Sequence, residues 1–423
     1  MKLVRRGPSP WMPQSYVRWI DKDQDGIPDK LEEKLLRRFR PYYKFSQFKS
    51  MDIDTGIPII ISENYRPCDA IWQIRYADLR DGDWTDYEPD PDIIETCGAS
   101  PYYLLDPPSQ LLTCVCDETN LMKPHKPQNF LEGLEHMVNK DKVFFGKTNY
   151  FLNIDDDKRS GPSWEEAIAN APGLYGHVVP ERDTERDSKL YKIEYWQYFG
   201  YSGMDVPGGD HEGDWCTVQL WYDPTAKKLV KTSHYAHGYE MTFDLTKAGQ
   251  PFNLVIDNTN MVEYRGSNYD TSEWDLRSSK KKVPISPFFS ISGHPITNPT
   301  PTVDNAVRFY IDGEGNEHVV VYIERDSHEF WPTEYGEVPL VNEHNGKGPS
   351  YLTAYNPERP LNLGEVENPL SADAKIILQY SGYWGCYHHI KNFPPPGPPL
   401  HQEWTWPAAS ELRPKILPRD FEG

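Results

Sequence analysis

Three strand-end stretches hold most of the residues able to do acid–base or metal chemistry. The first, GDHEGDWCTVQLWY at 209–222, offers Asp210, His211, Glu212 and Asp214, with Trp215 at the mouth of an alternating run. A surface turn needs only the glycines. An imidazole three residues from a carboxylate can instead move a proton or hold a divalent cation. SHYAHG offers His234 and His237, and ERDSHEFWP offers Asp326, His328 and Glu329. The expected site is one cluster of His211, Asp214, His234 and His328 around a cation or a polarised water. Strand alternation should put His234 on the face of Thr232 and Val230, away from His237, which ranks lower. His177, His344, His388 and His389 read as hydrogen-bonding loop residues.

The sharpest local motif is DKDQDGIPDKLE at 21–32. Carboxylates fall at loop positions 1, 3, 5, 9 and 12, as Asp21, Asp23, Asp25, Asp29 and Glu32, while Gly26 sits at position 6 and Ile27 supplies a carbonyl at 7. Calcium takes six to eight oxygens, and this spacing wraps them around one ion, with the glycine permitting the bend. The LEEKLLRRF that follows sets Leu31, Leu35 and Phe39 on one helical face. Pro13 leaves a short entering helix, so a structural ion is expected rather than a sensor.

The elements that must position these groups are strands. LYKIEYWQYFG alternates, DWCTVQLWYD and LVKTSHYAHG are joined by a hairpin at DPTAKK, and RFYI meets HVVVYIE through DGEGNE. The DPTAKK hairpin should bring the first two clusters to one end of a ribbon. The predicted fold is mainly β: a large antiparallel β-sandwich with long loops over 46–423, preceded by a calcium-loop and helix segment over 1–45. A short helix is expected over SWEEAIANA at 163–171, from its Ser163/Glu166 capping box. The run at 178–189 reads as solvated charge, and PPPGPP at 394–399 as extended chain laid across the body.

Composition agrees with this and excludes several classes. The chain has 423 residues, room for one large β unit or two domains. With 27 Tyr, 13 Trp, 39 Pro and 29 Gly it suits broad sheets and loops rather than helical bundles. A net charge of −20 repels nucleic acid and favours cations. No apolar run approaches the length of a membrane helix. The basic opening MKLVRRGPSPWMPQ is broken by proline before an apolar core forms, so it is not an intact signal peptide. The compartment stays open: secreted or vacuolar if a leader was removed, otherwise cytoplasmic. Cys68, Cys97, Cys114 and Cys116 could pair as disulfides, and their spacing lacks the paired pattern of a zinc cluster.

The ordered series YWQYFG, GDHEGDW, SHYAHG, VVYIERDSHEFWP, YSGYWG and PPPGPP resembles the vacuolar protein sorting-associated protein 62 family. FRPYYKFS and ENYRPCDAIW extend the resemblance upstream, so it spans about residues 37–406. It implies a fold and a site more readily than a reaction. More distantly, GDHEGDW is similar to the cation-holding loop of the necrosis- and ethylene-inducing peptide toxins, β-sandwiches that bind glycolipid. That likeness maps onto His211 and Asp214. Both families carry Glu where this chain has Cys216, which removes one carboxylate and leaves His234 or His328 as substitute ligands.

Three functions follow as expectations. A cation or a His–Asp dyad activates water against an ester, phosphoester or glycosidic substrate. Alternatively, the sandwich binds glycans or lipid headgroups through Tyr and Trp, in a lytic or lectin-like role. The third is a calcium-stabilised structural protein without catalysis.

Overall fold

The computed structural model describes residues 20–45, 47–51, 58–62, 66–74, 77–81, 150–154, 161, 173–183, 188–202, 211–236, 239–256, 259–266, 302–303, 306–324, 328–333, 336–337, 353–355, 360–379, 384–385, 397–401 and 403–405. The SWEEAIANA segment, residues 394–396, His237, His344, His388 and His389 lie outside them.

In chain order, the strands of the two large sheets are β1 (Tyr42–Phe45), β2 (Pro67–Cys68), β3 (Leu174–Asp183), β4 (Ser188–Ser202), β5 (His211–Asp223), β6 (Lys228–Ala236), β7 (Tyr239–Asp244), β8 (Phe252–Ile256), β9 (Thr259–Arg265), β10 (Ala306–Ile311), β11 (Glu317–Ile323), β12 (Phe330–Trp331), β13 (Thr353–Tyr355) and β14 (Leu361–Asn362). One sheet runs β8-β9-β10-β11-β1-β13 with β12 on β11; the other runs β7-β6-β5-β4-β3-β14 with β2 on β4. Both expected hairpins are present, β5–β6 and β10–β11. Pairing is antiparallel except where β1 meets β11 and β14 meets β3.

The core lies between the sheets because alternation on both points apolar residues the same way. Ile193, Tyr195 and Phe199 of β4 and Val218 and Leu220 of β5 pack against Tyr43, Phe45, Val319, Val321 and Ile323. Each such burial is worth about 1.5–3 kcal/mol. The helix α1 (Asp29–Phe39) adds Leu35, Leu36 and Phe39 to this same core, with Leu31 at its margin. The Tyr195 hydroxyl donates to the Leu36 carbonyl at 2.9 Å, tying the helix to β4. A second short helix, α2, spans Ala70–Ile74.

The opposite face of the β4–β5 sheet is also covered. Trp196, Tyr198 and Trp215 point away from the inter-sheet core, yet all are buried, beneath Trp384 and Trp404. Among the described residues, Trp196, Tyr198, Trp215, Trp384 and Trp404 make up this second aromatic layer. The charge run at 178–189 is likewise more than solvated chain. Residues 178–183 end β3, and 188–189 begin β4. Val178 and Val179 are buried, and Glu181 accepts the Trp221 indole N–H at 2.9 Å. Three consecutive charged residues, Glu181, Arg182 and Asp183, close β3, so composition alone looked like a loop.

Candidate functional site

In the acidic loop the chain folds back on its own carboxylates. Asp21 Oδ1 accepts the Gln24 N–H at 2.7 Å and Oδ2 the Gly26 N–H at 3.2 Å. Gly26 takes φ +93°, the left-handed turn for which a glycine was expected. The Ile27 side chain is buried in the main core and anchors the loop's far end.

Oxygens of Asp23, Asp25 and Glu32 lie within 4.8 Å of one another, as do those of Asp21, Asp23 and Asp29. Asp23 and Glu32 are buried, and Asp23 Oδ1, Asp25 Oδ2 and Glu32 Oε1 have no hydrogen-bond partner. Burial and the neighbouring Asp25 push Asp23 up to about 8. Burial raises Asp25 to about 7 against the Ile27 N–H bond. Burial, then Asp23 and Asp25, raise Glu32 to about 10. Three clustered acids with orphaned oxygens cannot all ionise alone, and they fit a hard, oxygen-seeking cation. Asp29 differs: its Oδ1 accepts the Lys22 N–H at 2.7 Å, and its Oδ2 pairs with Lys22 Nζ at 3.4 Å.

The strand-end clusters converge only in part. Asp214 and His328 meet, with Oδ2 to Nδ1 at 3.2 Å. His328 is fully buried, stacked on Phe199 at 3.9 Å, and holds φ +60°. Such a conformation costs a non-glycine residue of order 1–3 kcal/mol and recurs at functional sites. Cys216 occupies the place where both resembled families have Glu, and its thiol donates to Asp214 Oδ2 at 3.5 Å. Burial, then the Asp214 charge, pushes this thiol well above its ordinary range.

His234 is not level with His211. It opposes Val218, whereas His211 opposes Ser202. Seven residues of strand separate the two levels, about 23 Å. β5 is longer than β6, so sharing a hairpin did not bring their polar ends level. His234 also parts from Val230. The register slips between Leu229 and Lys231, and Val230 joins Trp221 and Leu190 on the outer face. The bulge inserts one residue, so His234 shares the inner face with Thr232 and Leu229 instead. Its ring faces the Val320 carbonyl without reaching hydrogen-bond geometry, and burial lowers its pKa to about 3. It is a neutral core residue. The side chain of His211 lies outside the described residues.

Trp215 sits inside β5 rather than at its start, on the face opposite Asp214. It packs on Tyr198, Tyr175 and Trp384 at 4.9–5.4 Å. Here the late glycines find their reason. A Cβ on Gly213 would stand 2.1 Å from the Trp384 carbonyl oxygen, and one on Gly385 would stand 2.1 Å from that of Glu212. Gly397 in turn lies against the Trp384 indole. Glu212–Gly213, Trp384–Gly385 and Gly397 therefore pack on one another.

Sequence reasoning missed His177. It lies on β3, fully buried, with Nδ1 3.1 Å from Glu194 Oε2 and Nε2 3.2 Å from Glu365 Oε1. Burial alone would lower its pKa, but Glu365 and Glu194 outweigh it and hold it at about 10. The ring stacks on Trp404 at 3.9 Å. Glu194 continues the row through Gln219 at 3.2 Å to Tyr235 and Glu240, one polar residue per strand across the sheet. The available signal was a His amid apolar neighbours in LYGHVV, a strand pattern rather than a loop. Cys68, offered as a disulfide partner, is a free buried thiol that donates to Gln73 Oε1 at 3.2 Å.

Comparison of the chain with family models, with curated proteins and with solved structures finds no match in any of the three.

Proposed function

We propose that the chain is a calcium-binding β-sandwich protein, related to the vacuolar protein sorting-associated protein 62 family, whose ion fastens the N-terminal loop to the sandwich. One observation carries this reading: Asp23, Asp25 and Glu32 approach within 4.8 Å of one another, and each has a buried oxygen without a hydrogen-bond partner. Isolated buried anions are among the costliest features a fold can hold, and a shared cation removes that cost. The family relationship is supported by the mutual packing of Gly213, Trp215, Gly385 and Gly397, drawn from three of the resembling motifs, around Trp384. The test is thermal unfolding of the full chain with calcium and with chelator. Saturation at a hundred times Kd should stabilise by about 2.7 kcal/mol. Identical melting curves in both conditions would dismiss the calcium reading.

A second reading rests on the Asp214–His328 contact and the left-handed backbone of His328. A carboxylate that orients an imidazole supplies a general base for water attack. This supports a hydrolase acting on an ester, phosphoester or glycosidic bond, with glycans and lipid headgroups as the ligand classes. Described residues include no helix long and apolar enough to cross a membrane. Screening a panel of chromogenic esters, phosphoesters and glycosides tests it. Turnover that Asp214→Asn leaves intact would remove the dyad from the mechanism.

A further inference from the structure

We propose that Glu365, more than 330 residues from the acidic loop, is a ligand of the same cation, so that the ion clasps that loop to the hairpin at 364–369. This rests on the calcium reading above and adds a residue outside the twelve-residue motif. The hairpin pairs Gly364–Glu365 with Asn368–Pro369 and is docked on the loop at several points. Asn368 Nδ2 donates to the Asp23 carbonyl at 3.1 Å, and Gln24 Nε2 donates to Asn368 Oδ1 at 3.5 Å. Just upstream, Asn362 Nδ2 donates to Glu32 Oε2 at 3.1 Å. Gly364, at φ +68°, allows the close approach: a Cβ there would stand 3.2 Å from the Cβ of Asp23.

These contacts hold Glu365 beside the loop, with only 3% of its surface exposed. Its two oxygens have different fates. Oε1 is taken by His177 Nε2 at 3.2 Å, whereas Oε2 is buried without a hydrogen-bond partner. Glu365 also lies within electrostatic range of Asp23 and Asp25, and its charge disfavours theirs. Placing another buried carboxylate beside such a cluster makes sense when a cation sits among them. Ligating carboxylates are commonly held by an outer hydrogen bond that leaves one oxygen for the metal, which is what His177 does here. A fourth carboxylate also raises the charge at the site, and calcium affinity follows ligand charge. The ion would thereby join the loop, the hairpin and, through His177, strand β3.

Calcium titration calorimetry on the full chain tests this with wild type, Glu365→Gln and Glu33→Gln, the last removing an exposed carboxylate next to Glu32. Wild type should bind, Glu33→Gln should match it, and Glu365→Gln should bind on the order of tenfold or more weakly. Wild type that takes up no calcium overturns the calcium reading itself. Wild type that binds, with Glu365→Gln equal to it, overturns only the role of Glu365. Should Glu365→Gln fail to fold, amide hydrogen exchange on wild type with calcium and with chelator decides. Protection gained at 361–369 together with 21–27 is the expected result. Protection gained at 21–32 alone overturns the clasp.

Discussion

The acidic loop and the Asp214–His328 pair are both buried ionisable sites on one sandwich, and they are built in opposite ways. In the loop, acids cluster, and one oxygen on each of Asp23, Asp25 and Glu32 is left without a donor. In the pair, a carboxylate meets an imidazole, so the contact is satisfied from within the protein. The first arrangement suits the cation proposed for it; the second is a contact made within the protein and asks for substrate only if it is catalytic. The two also differ in assembly. Three of the loop's acids come from within ten consecutive residues, while the pair joins positions 114 apart in the chain.

The comparison can be pressed hardest at Trp215. Trp215→Ala empties the packing between Tyr198, Tyr175 and Trp384 and should cost roughly 3–5 kcal/mol in chemical denaturation. Its neighbour Asp214→Asn keeps shape and one acceptor, and should cost about 1 kcal/mol. Equal losses would make Asp214 a structural residue of the same rank as Trp215.

The loop should respond with a change of sign. Glu32→Gln removes one of three mutually repelling buried acids, so in chelator its melting temperature should rise above wild type. With calcium present the order should invert, because the variant forfeits ligand stabilisation of about 2.7 kcal/mol at a hundred times Kd. Melting curves that keep the same order in both conditions would show that the acids share no ion.

His234, a buried imidazole not level with His211, offers a quieter test through pH. Its folded pKa of about 3 lies below the ordinary 6.5. As pH falls through that window, the unfolded chain takes up a proton that the folded core refuses, and stability declines. His234→Leu should flatten that acid limb between pH 6.5 and about 3, as read from denaturation midpoints. A limb of unchanged slope would assign it to other groups.

The smallest effect belongs to Lys22, which is largely exposed where it pairs with Asp29. Lys22→Ala should shift stability by less than about 0.5 kcal/mol. It should also leave calcium affinity near the wild-type value if Asp29 serves the loop backbone rather than the ion. A marked gain of affinity would return Asp29 to the ligand set, because Lys22 competes with a cation for its carboxylate.

Much of this was legible from the chain. The Asp23, Asp25 and Glu32 spacing, the turn at Gly26 and the helix face of Leu35 and Phe39 are local, governed by contacts within a few residues. The β5–β6 and β10–β11 hairpins were readable for the same reason, since alternation and a short polar turn decide them together. What escaped was non-local or depended on a single inserted residue. One bulge after Leu229 sent Val230 to the opposite face from His234, and the unequal lengths of β5 and β6 separated His234 from His211. No periodicity encodes either.

By itself, then, the sequence determined that this is a mainly β protein with an acidic loop spaced for an oxygen-seeking ion. Both follow from short-range stereochemistry: side-chain alternation on strands and the reach of carboxylates around one tight turn. Only the tertiary structure decided that Asp214 faces His328, that Trp384 closes over Trp215, and that Glu365 with His177 stands beside the loop. Those neighbours are set by how two twisted sheets and their covering segments pack, and packing brings together residues whose positions in the chain bear no simple relation to each other.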